Sequence, residues 1–349
     1  MRPDTLAVVE LDAAWLFEAA KSPAWIMHQR EFNMRRKTNL TLTAMTMAMF
    51  LMTTGWGLAQ RPVGNPPDRI MVWVDREGSV EPLKTPARPY FGPRLSPDGR
   101  QVAIEVQGAQ SQIWTYDIAS GKGTQVTSQD SNRFPLWSPD GKRMLFGSNR
   151  IGPMNSSGRA PFFEKHEVFW KAADGDGEAE QLTDQEYRHG PQTFSPDGTL
   201  LSFYQIHPTT GRDIWMLPIK GDGKPWVYLN TRYPEGGVAF SADSRWFAYT
   251  SPISGRYEVY ISPFPDRAAS RSRVSTDGGT ELRWARNGHE LFYREGDRRM
   301  VVQTSTDPLL IIGKPKLLFE GDFVRSPGTR ANYDVTPDGR RFILLQEVR

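Results

Sequence analysis

A tetrapeptide that returns six times constrains this chain more than any other feature. The copies are Ser96-Pro97-Asp98-Gly99, Ser138-Pro139-Asp140-Gly141, Ser195-Pro196-Asp197-Gly198, Ser241-Ala242-Asp243-Ser244, Ala285-Arg286-Asn287-Gly288 and Thr336-Pro337-Asp338-Gly339. Their first residues lie 42, 57, 46, 44 and 51 positions apart. Self-similarity at such a period marks a repeat architecture and outranks local secondary-structure signals. Pro presets φ for the first central position of a tight turn, Asp or Asn suits the second, and Gly accepts positive φ at the exit. Pro97, Asp98, Gly99, Pro139, Asp140, Gly141, Pro196, Asp197, Gly198, Pro337, Asp338 and Gly339 are therefore read as turn residues at hairpin tips.

An apolar residue precedes every copy: Leu95, Trp137, Phe194, Phe240, Trp284 and Val335. Two more follow, six and eight residues after the first position, as Val102/Ile104, Met144/Phe146, Leu201/Phe203, Phe247/Tyr249, Leu291/Tyr293 and Phe342/Leu344. This two-residue period predicts strands on both sides of each tip. A third strand is expected at Gln112–Trp114, Glu167–Phe169, Asp213–Trp215, Glu258–Tyr260 and Arg299–Val301, usually followed by a short fourth. Four short strands per unit of roughly 40–50 residues describe the blade of a β-propeller, in which neighbouring blades bury each other's faces. The sixth hairpin lacks its outer pair, and a matching pair, Arg69–Trp73 and Ser79–Leu83 around a Glu77-Gly78 turn, precedes the first tetrapeptide. The expected fold is all-β, a six-bladed β-propeller over residues 69–349 whose last blade is closed by the N-terminal strands.

Ahead of the repeats, Met34-Arg35-Arg36-Lys37 introduces an apolar run from Leu40 to Ala59. That order is the order of a secretory signal. Gly57 and Ala59 place the expected cut between Ala59 and Gln60, although the run is also long enough, at about 20 residues, for an uncleaved anchor. Residues 34–59 are read as the signal, 60–68 as a short linker and 1–33 as an extension from a misassigned start. Cleavage would leave no membrane span and an exported, periplasmic or otherwise extracytoplasmic, protein. Lys and Arg total 43 against 40 Asp and Glu, so no basic footprint points to nucleic acid. The absence of Cys excludes disulfides, thiolate metal sites and a cysteine nucleophile.

These repeats resemble the TolB-like, WD-type propeller repeats of bacterial proteins, with the S-P-D-G turn, an apolar strand and an I-W/Y strand. The resemblance covers nearly all of the chain past residue 60 and implies the fold. It leaves function open, because propellers host many unrelated tasks. TolB carries an α/β domain before its propeller and only nine residues separate Ala59 from Arg69 here, so partner contacts of that domain do not transfer. The segments Lys314–Glu320 and Tyr333–Phe342 also look like propellers attached to bacterial serine/threonine kinases, but no phosphate loop or kinase catalytic loop accompanies them.

Hydrolase and metalloprotease signatures are missing: neither G-x-S-x-G nor H-E-x-x-H occurs. Asp174–Glu178 lacks the register of a calcium loop and is read as a solvated turn. Propeller topology brings His166, His189 and His207 to the face opposite the tips, where a convergent cluster would suit a metal-dependent polysaccharide lyase or hydrolase. The same face receives the largest insertion, Asn149–Lys165 with Phe162 and Phe163, and Tyr90, Asn132, His189, Glu235 and Arg330 occupy matching positions ahead of five first strands. The expected function is noncatalytic binding of an envelope protein or glycan by a monomer, on that face, with no cofactor and no resident metal.

Overall fold

The structure, a computed structural model, describes residues 66–150, 166–184, 186–221, 223–266, 270–307 and 309–348. The signal, the extension before it, most of the linker, and Phe162 and Phe163 lie outside the described residues. Residues Asn65–Arg349 form one compact unit.

Six antiparallel sheets make six blades. Blade 1 contains Tyr90–Leu95, Gln101–Val106, Gln112–Asp117 and Gly123–Gln125. Blade 2 contains Asn132–Trp137, Arg143–Ser148, Glu167–Ala172 and Glu180–Gln181. Blade 3 contains Arg188–Phe194, Leu200–His207, Gly211–Pro218 and Trp226–Leu229. Blade 4 contains Gly236–Phe240, Trp246–Ser251, Glu258–Pro263 and Ser272–Arg273. Blade 5 departs from the four-strand expectation: Arg298–Ser305 is long enough to pair with both Ile311–Ile312 and Lys316–Glu320. Asp174–Glu178 is the exposed turn between the last two strands of blade 2, with the Asp174 carboxylate accepting the Asp176 N–H at 3.0 Å.

Blade 6 joins the two ends of the unit. Its order is Val80–Pro82, Arg69–Asp75, Arg341–Glu347, Asp334–Val335, with Arg69 opposite Glu347 and Asp75 opposite Arg341. All twelve residues of the apolar pairs flagged in the sequence are buried, none more than 3% exposed. They divide among six apolar clusters, one per seam between blades. At the closing seam Met71, Trp73, Ile343 and Leu345 pack with Tyr90, Leu95, Val102, Ile104 and Tyr116.

The tips show why their residue types recur. The hydroxyls of Ser96, Ser138, Ser195, Ser241 and Thr336 donate to Asp98, Asp140, Asp197, Asp243 and Asp338 at 2.5–2.6 Å. The same carboxylate oxygen accepts the N–H two residues on at 3.0–3.1 Å. Asn287 repeats only the second bond, to His289, because Ala285 has no hydroxyl. The exit glycines hold φ between 69° and 77°, and Ser244 at 58° takes the same left-handed geometry without being Gly. A Cβ on Gly99, Gly141 or Gly198 would meet Pro337, Pro97 or Pro139 of the preceding tip at 3.4–3.6 Å, so the tips pack around the ring.

Hydroxyl and backbone donors hold Asp98, Asp140, Asp197 and Asp338 below the usual carboxylate range. At Asp243 burial opposes the shift, yet the Ser241 and Arg245 donors draw it down to about 2. A carboxyl lowered on folding stabilises the native state above its unfolded pKa, and the benefit disappears as pH falls through the folded value. The melting temperature is therefore expected to fall as pH drops from about 5 toward 2. Joint Asp98→Asn and Asp140→Asn substitution should flatten that fall in a thermal scan across pH; an unchanged slope would show that the tips do not set acid stability.

Candidate functional site at the two channel mouths

The innermost strands define a central channel. The residue two before each tetrapeptide (Arg94, Leu136, Thr193, Ala239, Arg283, Asp334) lines a cavity of about 370 Å³ on the tip side, beneath Trp137, Phe194, Phe240 and Trp284. Arg94 is buried and donates to the carbonyls of Pro93, Tyr333 and Ala331. Burial, reinforced by the guanidinium groups of Arg283 and Arg330, holds its pKa well below the usual arginine value. Arg283 Nε lies 3.7 Å from Asp334 Oδ1.

Farther along the channel, the first strands of blades 1 to 5 each break register once. At four of these bulges a residue takes positive φ: Gly92, Phe134, Gly237 and Glu281. Phe and Glu rarely adopt that conformation, and persistent strain of this kind marks sites the surrounding structure over-determines. The left-handed turn at Phe134 gives its N–H to Glu105 at 3.3 Å. The Glu281 carboxylate accepts the N–H groups of Ser326 and Asn332 at 3.1 and 2.9 Å and pairs with Arg294 at 3.5 Å.

Ser326–Asn332, which leads from blade 5 into blade 6, is thereby drawn across the mouth opposite the tips. Arg330 reaches over to the carbonyls of Pro191 and Pro135 at 2.6 and 3.1 Å, its guanidinium 4.9 Å from the Phe134 ring centre. Burial, together with nearby Arg283, pushes its pKa down to about 9. Asn332 accepts the Gly92 N–H at 2.7 Å. Gly237 is required here because a Cβ would come within 2.4 Å of the Thr329 carbonyl. Beneath the segment lies a cavity of about 200 Å³ lined by Glu105, Arg133, Phe134, Arg188, Tyr204, Arg212 and Arg330, among others. Burial raises the Glu105 pKa, with Arg133 opposing.

The histidines do not converge. His189 is fully buried, with Nδ1 2.9 Å from Glu167 and Nε2 3.2 Å from the Gln205 amide. The Glu167 carboxylate also accepts the Thr183 hydroxyl at 2.5 Å, and Thr183 Oγ1 accepts the Val168 N–H. Blade 1 repeats this frame with Gln112, Thr127 and Asn132, and blade 4 with Glu258 and Ser275. His166 is buried, and its carbonyl accepts the His189 N–H at 2.7 Å. His207 is partly exposed, bonded to Thr209 and packed edge-on against Tyr187 at 4.9 Å. Among the described residues no group of three or more His, Cys, Asp or Glu is placed to hold a metal ion.

Of the five matched positions ahead of the first strands, Arg330 lines the channel cavity. Tyr90 and Asn132 are fully buried; Tyr90 donates to the Pro86 carbonyl, and Asn132 to Gln112 and Gln129. Glu235 is 2% exposed, its pKa raised by burial, and it accepts the Thr231 hydroxyl at 2.5 Å. Asn149, at the start of the long insertion, is buried and accepts the Ser131 N–H at 2.8 Å. No helix among the described residues is long and apolar enough to cross a membrane.

The fold and its channel define a closed six-bladed β-propeller with a cavity at each mouth. The solved structures most similar to it include one described as a TolB from Agrobacterium tumefaciens, with a TM-score of 0.64 and 16% identity over 81% of this chain and 99% of that one. A TolB from Acinetobacter baumannii follows, with a TM-score of 0.50 and 18% identity over 75% of this chain and 69% of that one. The chain therefore has the TolB-type propeller fold. No family model matches it. A Bacillus subtilis protein described as the uncharacterized peptidase YuxL is 30% identical over 114 residues, 30% of this chain and 16% of that protein's length.

Proposed function

We propose that the chain is an exported, noncatalytic propeller that binds a protein partner at the channel mouth crossed by Ser326–Asn332. The observation that carries this reading is the allocation of polar groups. His189 and Glu167 are bonded into the frame between blades 2 and 3, whereas Arg330 and the arginines around it face an open cavity. The likeness to TolB propellers supports a binding role, and Arg35–Ala59 supports export. The sequence of the Asn149–Lys165 insertion, which begins directly after the second strand of blade 2, includes Phe162 and Phe163 as candidate anchoring groups. An envelope glycan would meet the same mouth.

Photo-crosslinking tests the face. A photoreactive residue at Gly328 or His207 is expected to capture an envelope protein, while one at Pro139 on the tips captures none. Joint Phe162→Ser and Phe163→Ser replacement should weaken capture. Capture from Pro139 alone would assign recognition to the tip side and overturn the proposal.

A further inference from the structure

The cavity beneath Ser326–Asn332 contains an excess of positive charge. Among the described residues Arg133, Arg212 and Arg330 line it, with the carboxylate of Glu105. Arg133 Nε lies 3.9 Å from Glu105, beyond hydrogen-bond distance. Arg212 spends one nitrogen on Thr329 Oγ1 at 3.3 Å and lies 5.0 Å from the Tyr204 ring centre. Arg133 Nε, Arg212 Nε and Gln192 Nε2 are buried there without a hydrogen-bond acceptor. Unbonded buried donors destabilise a fold, so three of them around one cavity point to an acceptor that binds there.

We infer that this cavity binds a carboxylate attached to a small carbon body. The inference rests on the binding role proposed for this mouth and names its chemistry. A guanidinium presents paired donors that match a planar carboxylate, and it does so most strongly out of water. Phe91, Phe134, Tyr204, Ile206 and Pro327 supply apolar walls for the carbon body. The volume of about 200 Å³ equals that of about six or seven water molecules, enough for a short organic acid or one acidic residue. A phosphate dianion would bring a second charge toward Glu105 and leave the apolar walls unused.

Two sources share this chemistry, the carboxylate end of a peptide and a free organic acid, and the measurement separates them. Residues 60–349 are titrated by calorimetry with butyrate, with the tripeptide Ala-Ala-Asp, with its C-terminal amide and with inorganic phosphate, at constant ionic strength. Butyrate or the free tripeptide should bind with saturation, and phosphate should bind more weakly. Tighter binding of the tripeptide than of butyrate identifies a peptide source, and the reverse a free acid. Arg212→Gln and, separately, Gln192→Leu should each weaken binding about tenfold or more, the effect of losing a hydrogen bond to a charged group. Without ligand the Gln192→Leu variant should melt no lower than the parent, since it removes an unsatisfied buried donor, whereas Arg212→Gln also loses the Thr329 bond and the Tyr204 contact and is read by binding alone; a purely structural role of Gln192 would lower the melting point. Equal response to all anions, or unchanged binding in both variants, overturns the inference. If crosslinking from Gly328 persists in that case, the partner-binding role stands without it.

Discussion

Deleting residues 66–83 is expected to abolish cooperative folding of the ring. Met71, Val72 and Val74 are fully buried and Trp73 is 7% exposed, all within seams that blade 6 makes with blades 1 and 5. Burial of four such side chains is worth about 6–12 kcal/mol, comparable with the whole stability of a domain. The deletion would also uncover one edge of Arg341–Glu347 along seven paired positions and remove the Arg76–Glu290 ion pair at 2.7 Å, which ties the N-terminal strands to blade 5. Thermal denaturation by near-ultraviolet circular dichroism should lose its cooperative transition, and light scattering should show association through the open edge. Val72→Asp, which puts a charge in the same seam without shortening the chain, should do the same. A deletion that melts cooperatively at the parent temperature would show that the ring closes without these strands.

Replacing Glu281 with Ala should have the next largest effect. Glu281 is 1% exposed and accepts two backbone N–H groups of the segment across the mouth while pairing with Arg294, itself 4% exposed. Removal strands the Ser326 and Asn332 amides and leaves a buried guanidinium short of its carboxylate. Breaking a buried pair from one side costs about 3–5 kcal/mol. For a chain of this size the melting temperature should fall on the order of 10 °C. Glu281→Gln keeps one acceptor oxygen and should fall by less. Limited proteolysis should cut within residues 326–332 sooner in the alanine variant than in the parent. Equal melting and equal cutting would mean that the segment is held without the Glu281 carboxylate.

The strands were legible because they depend on short-range rules, and the closure because the outer pair missing from the sixth hairpin has its match at the other end of the repeats. Pro, Asp and Gly fix a tip by local geometry, and the pairs from Val102/Ile104 to Phe342/Leu344 alternate as an undisturbed strand must. The channel lining was less legible. Counting back by twos from Arg94 or Leu136 leads to Tyr90 or Asn132 as though they faced inward, but the bulges at Gly92 and Phe134 each add a residue and reverse the parity. Tyr90 and Asn132 consequently turn into the seams. Arg330 escapes this reversal because Ser326–Asn332 is not a strand at all. Arg94, Arg283 and Asp334 were readable in principle as the column two before each tetrapeptide. Arg133 and Arg212 gather only through contacts between blades, which no local pattern encodes.

The register of blade 6 also orders events in time. Arg69 must meet Glu347, so the two strands that close the ring lie at opposite ends of the folding unit. During synthesis, which proceeds from the N-terminus, Arg69–Asp75 leaves the ribosome early and waits without its neighbour until nearly the whole sequence has followed. Blades 1 to 5 can assemble meanwhile, each against the last, since their strands pair with sequence neighbours. Until Arg341–Glu347 follows, the seam that needs both strands is incomplete, so closure of the ring is expected to be a late step. Non-local pairing of this kind is slow, and unpaired strands invite association while they wait. The stretch around Met71–Val74 is thus the segment a holding chaperone would have most reason to cover.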